Sequence, residues 1–75
     1  MEIPAEWQPI LEYMEKYPRF AFRSSRLSDH LLKNGIRISS QKVSKILLEM
    51  HTTGIVEKIT VGRGNHIRSY YRVKR

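Results

Sequence analysis

Gln41 and Lys45 stand four residues apart within Ser39-Ser40-Gln41-Lys42-Val43-Ser44-Lys45-Ile46-Leu47, a spacing that brings them to one side of a helix, with Ser44 on its flank. Their side chains can hydrogen-bond to bases: a Gln amide matches N6 and N7 of adenine, a Lys ammonium matches guanine, and a Ser hydroxyl suits a base edge or a phosphate. Ser39 and Ser40 fall where such a helix would begin. There the open backbone N–H groups can hold a phosphate, and one of the two serines can equally be a plain N-cap. Lys42 lies on the flank of the same face. Further along, Gly62-Arg63-Gly64-Asn65-His66-Ile67-Arg68 sets Arg63 between two glycines and follows it with Asn65, His66 and Arg68. A long cation at a turn tip can lie along phosphates or reach into a narrowed minor groove. The plainer readings are a solvated helix face and a soluble hairpin tip.

Other chemistries find little support. His30, His51 and His66 are widely spaced, there is no cysteine, and nothing resembles an HExxH pair, so no metal site is expected. His30 reads as a residue at the edge of the core. Glu12 and Glu15 are neighbours on a helix surface, which suits solvation better than acid–base work in a cleft. Gly62-Arg63-Gly64 is followed by a strand pattern and not a helix, which is the wrong context for a nucleotide loop. No enzyme, cofactor or small-molecule ligand is indicated.

The charge distribution favours a polyanionic partner. The 75 residues contain 14 Lys or Arg and 7 Asp or Glu, a net charge of +7, with a pI near 10.2. The charge is polarised. Residues 1–15 hold Glu2, Glu6, Glu12 and Glu15 and no Lys or Arg, a total of −4, so the net +7 leaves +11 for the remainder. A chain of this length supports one domain with a small core. With no cysteine, no apolar run long enough for a membrane span and an acidic start, a soluble cytoplasmic protein is expected, with no membrane partner.

These residues need elements to position them. Trp7, Ile10, Leu11 and Met14 recur at i, i+3, i+4 and i+7, which predicts a first helix that either starts near Glu6, placing Pro9 in its first turn, or is kinked at Pro9, and that ends before Pro18. Phe20-Ala21-Phe22-Arg23 reads as a short strand with both rings in the core. Ser24 or Ser25 should cap a second helix, Arg26 to Asn34, with Leu27 and Leu31 inward and Gly35 as its stop. Ile36-Arg37-Ile38 leads to the third helix, capped by Ser39 or Ser40 and ended by Gly54. Val43, Ile46, Leu47 and Met50 form its inner face. Leu48, on the outward side, suits either a thymine methyl or packing under the hairpin. Two strands follow, about Val56 to Val61 and Ile67 to Lys74. Ile67, Ser69, Tyr71 and Val73 should then face inward, and Arg68, Tyr70, Arg72 and Lys74 outward. Tyr70 is left open, with stacking on a base as one use.

In element order, and in Leu31-Leu32-Lys33-Asn34-Gly35, the 39 to 47 segment, Thr53-Gly54-Ile55-Val56-Glu57-Lys58 and Ser69-Tyr70-Tyr71-Arg72-Val73, the chain resembles the winged helix-turn-helix family over roughly residues 5 to 75. The resemblance implies an α+β fold of three helices, a short strand and a C-terminal two-stranded β-hairpin wing. It also implies a double-stranded DNA partner, with the third helix as reader and the wing on backbone or minor groove. That assigns Ser39, Ser40, Gln41, Lys42, Ser44 and Lys45 to the helix and Arg63, Asn65, His66 and Arg68 to the wing. Arg23, Arg26 and Arg37, which flank helix starts, become phosphate clamps. Scarce amides and absent cysteine fit a hot habitat, as in small archaeal or archaeal-virus regulators. Many family members carry a dimerisation helix after the wing, whereas this sequence stops at Arg75. A homodimer is expected from the small reading surface of one module, paired through the first helix or the wing. Trp7, Tyr13 and Tyr17 are the candidate patch, with Trp7 also a candidate for plain core. The alternatives are a docking module within a larger assembly and a nonspecific nucleic-acid binder.

Overall fold

The computed structural model describes residues 3–74. Three helices, α1 (Trp7–Lys16), α2 (Ser24–Lys33) and α3 (Ser40–Thr52), precede two strands, β1 (Val56–Val61) and β2 (Arg68–Val73), paired as one antiparallel hairpin. This is an α+β arrangement in the winged-helix layout. No helix among the described residues is long and apolar enough to cross a membrane.

The core follows the helical periodicity. Trp7, Ile10 and Met14 of α1, Leu27 and Leu31 of α2, and Val43, Ile46, Leu47 and Met50 of α3 are buried, and Val56, Tyr71 and Val73 of the hairpin close over them. Trp7 therefore belongs to the core and is lost to any pairing patch on α1. His30 sits at the core edge as expected, half-buried and stacked on Tyr13 with ring centroids 3.5 Å apart.

α2 and α3 end alike. The Ile36 N–H reaches the Leu31 carbonyl at 2.8 Å and the Gly35 N–H reaches Leu32 at 3.0 Å, while Ile55 reaches Met50 at 2.9 Å and Gly54 reaches His51 at 3.1 Å. Both sets are the paired bonds that close a helix through a left-handed glycine, and Gly35 and Gly54 have φ of 79° and 85°. In each case the isoleucine after the glycine packs against the core. Between α2 and α3 the Ser28 hydroxyl donates to the Ile38 carbonyl at 2.7 Å, tying the turn to the helix before it.

Three expectations need correction. Phe20–Arg23 forms no strand, only a single bridge in which Phe22 and Tyr71 exchange backbone hydrogen bonds of 2.7 and 2.9 Å. Phe22 is buried, but Phe20 is 63 % exposed, because one bridge anchors one residue and leaves its neighbours to the loop. α2 starts at Ser24, earlier than Arg26. Arg23 holds the cap position without a side-chain cap bond, so neither Ser24 nor Ser25 acts as the cap. Leaving the Phe22 bridge, the chain turns directly into the helix, and Arg23 O takes the Leu27 N–H at 3.2 Å. Finally, β2 starts at Arg68, and Ile67 is 59 % exposed. It has the parity of Tyr71 and Val73 but lies in the wing loop, too near the tip to reach the core.

Candidate nucleic-acid interface

On α3 the buried residues Val43, Ile46, Leu47 and Met50 fix the helix's rotation about its axis. At about 100° per residue this turns Gln41, Ser44, Lys45 and Leu48 outward, and all four are exposed. The Ser39 hydroxyl accepts the Lys42 N–H at 3.2 Å, so Ser39 is the N-cap and Ser40 the first helical residue. No acidic residue of α3 itself stands in its first turn.

The wing takes its register from the core. Val56 pairs with Val73, Lys58 with Tyr71 and Thr60 with Ser69, while Glu57 faces Arg72, Ile59 faces Tyr70 and Val61 faces Arg68. Val56, Tyr71 and Val73 are buried, so alternation places Lys58, Thr60 and Ser69 on the helix side. Tyr70 and Arg72 share the outer side as expected, whereas Arg68, at the first position of β2, borders the groove toward α3. The Arg72 guanidinium is ion-paired with Glu57 across the strands, which removes one cation from the outer row. At the tip, the His66 N–H bonds the Arg63 carbonyl at 3.0 Å. Gly62, at φ 126°, lies so close to the His66 carbonyl that any Cβ there would collide with it. The glycine is thus what lets the wing turn and present Arg63, Asn65 and His66, all exposed.

Between α3 and the wing lies a groove of about 640 Å³ lined by Gln41, Ser44, Lys45 and Leu48 from α3, Lys58, Arg68 and Ser69 from the strands, and Ile67, Ser24 and Arg23. It brings together Arg23, Gln41, Ser44, Lys45 and Arg68 from the expected set. Among the described residues Arg23, Lys45, Lys58 and Arg68 form no ion pair. Leu48 and Ile67 give the groove an apolar strip. Other expected residues lie elsewhere. Lys42, on the α3 flank toward α1, has its ammonium 3.1 Å from Glu6. Arg37 lines a shallow depression with Ser28, Leu32, Ile38 and Ser39, and Arg26 borders a separate aromatic cleft.

Sequence reasoning overlooked Lys58. The strand pattern held its signal, since Lys58 has the parity of buried Val56 and so lies on the helix side. Ser24 and Ser69 were missed as groove residues because their placement depends on tertiary packing.

The profile of a domain family, "Domain of unknown function (DUF7343)", matches residues 26–69, more than half of the chain. The chain belongs to that family. The match spans most of α2, all of α3 and β1, the wing loop and the start of β2. Nothing among the curated proteins and nothing among the solved structures matches the chain.

Proposed function

We propose that this domain is a sequence-specific double-stranded DNA binder of the winged helix-turn-helix kind, a cytoplasmic transcriptional regulator acting as a homodimer. In this reading α3 enters the major groove, where Gln41 and Lys45 read base edges and Ser44 takes a base or a phosphate. Arg23, Lys58 and Arg68 flank it on the phosphates, and Arg63 with Asn65 and His66 extends from the wing tip to the backbone or the minor groove. One observation carries the reading: hydrogen-bonding side chains of an exposed helix face share a groove with four cations that have no acidic partner among the described residues. A surface that held such cations for solubility alone would have no reason to converge them on amide and hydroxyl groups.

The dimer follows from scale. The domain measures 35 Å along its longest axis, about one turn of B-DNA, and one recognition helix reads only a few base pairs. Two copies double the contacts and read a near-palindromic site. Selection of bound sequences from a random duplex pool tests the proposal: the expected product is an inverted repeat with half-sites about one helical turn apart. A selected pool no different from the input would reject sequence-specific reading.

A further inference from the structure

A second concavity, of about 500 Å³, shares Arg23 with the groove and differs from it in every other lining residue. Its wall is aromatic. Tyr13 of α1 and Tyr17 just after it meet edge to face with centroids 5.4 Å apart, as do Tyr17 and Phe20 at 6.0 Å, while Phe20 and Phe22 are tilted at 6.3 Å. Tyr70 of β2 also lines the cleft, and Arg23 and Arg26 stand at the start of α2. The rings hold one another in place, yet Phe20 remains 63 % exposed and Tyr17 39 % exposed. A flat apolar group entering here would cover ring surface that the chain leaves in water, with rings already oriented to stack on it or meet it edge-on.

Charge narrows the occupant. Arg23 and Arg26 are exposed and neither forms an ion pair among the described residues. The Lys16 ammonium lies 5.9 Å from the centre of the Tyr17 ring, and Arg19 belongs to the same connector. A second copy of the chain would bring its own Lys16, Arg19, Arg23 and Arg26 against these cations. A base-paired duplex offers no free ring face to enter the cleft. A small flat molecule with one anionic group satisfies both the rings and the guanidinium forks, and the volume falls within the range of small-molecule sites. We propose that this cleft binds an aromatic carboxylate, its ring among Tyr17, Phe20 and Tyr70 and its carboxylate on Arg23 and Arg26. The site shares only Arg23 with the groove, and its test needs no DNA.

The test is a titration of the full chain with 2-naphthoate and, separately, with neutral 2-naphthalenemethanol, followed through backbone amide resonances. The acid is expected to give saturable shifts at residues 17–26 and at Tyr70, and to bind about tenfold more tightly than the alcohol. Arg26→Gln should weaken the acid about tenfold and leave the alcohol unchanged, whereas Phe20→Ala should weaken both. Both replaced side chains are exposed, so the core is retained. Equal binding of acid and alcohol, shifts centred on Gln41 and Lys45, or no saturable shift at millimolar acid would overturn the proposal. A nucleoside monophosphate binding the cleft more tightly than the acid would also overturn it, in favour of a nucleotide site.

Discussion

The groove beside α3 and the cleft beside α1 meet at Arg23 and are built on opposite principles. In the groove, polar side chains stand on regular elements, Gln41, Ser44 and Lys45 on a helix and Lys58 and Ser69 on paired strands, and the buried residues next to them in sequence set their directions. In the cleft, rings come from a helix end, an irregular connector and a strand, and only tertiary packing brings Tyr17, Phe20 and Tyr70 together. The first surface suits an extended polyanion met by many weak contacts. The second suits one small molecule held by a few strong ones. Convergence of charge therefore means different things according to what lies between the cations: amides and hydroxyls in one place, rings in the other.

The largest expected effect destroys both regions together. Leu47 is fully buried in α3, and Leu47→Ala should cost about 2–5 kcal/mol of stability by urea denaturation. A loss below about 1 kcal/mol would mean that the α3 inner face has been misplaced. Next comes the reading face. Gln41→Ala or Lys45→Ala should cost about 1–3 kcal/mol on the preferred duplex, relax base preference and leave random-duplex binding mostly intact. Both should leave naphthoate binding in the cleft unchanged. Equal losses on preferred and random DNA would move the reading role from α3 to the wing.

Smaller effects probe the rim of the groove. Arg63→Ala should weaken binding to all duplexes and lower the salt slope of binding by about 1. A sequence-dependent loss would make Arg63 a base reader instead. Smallest is the Lys42–Glu6 pair, in which both side chains are more than half exposed. Glu6→Gln should change stability by less than about 0.5 kcal/mol while strengthening random-duplex binding slightly, since Lys42 is then no longer neutralised. Weaker binding in this variant would show that Lys42 serves the fold and not the interface.

The two regions also differ in how far the sequence disclosed them. The α3 face was legible because Val43, Ile46, Leu47 and Met50 repeat at helical spacing, and the core fixes one side of a helix and so reveals the other. The wing was legible for a similar reason, with Val56 and Val73 setting the alternation. Lys58 follows from that same alternation, on the face opposite the row of cations on β2. The connector departs from its pattern: two aromatics at strand spacing imply that both face inward, but a single bridge at Phe22 leaves Phe20 outside. The cleft had no local signature, because Tyr70 and Tyr17 are far apart in sequence and no period links them. The Lys42–Glu6 pair escaped notice for the same reason.

Everything assigned to the groove depends on its meeting a polyanion, and the salt dependence of affinity for duplex DNA measures this most directly. If roughly 5 to 8 phosphates are neutralised per dimer, log affinity should fall against log salt with a slope of roughly −4.5 to −7. A slope shallower than about −2 would contradict the account, because cations that displace so few counterions do not lie along a DNA backbone.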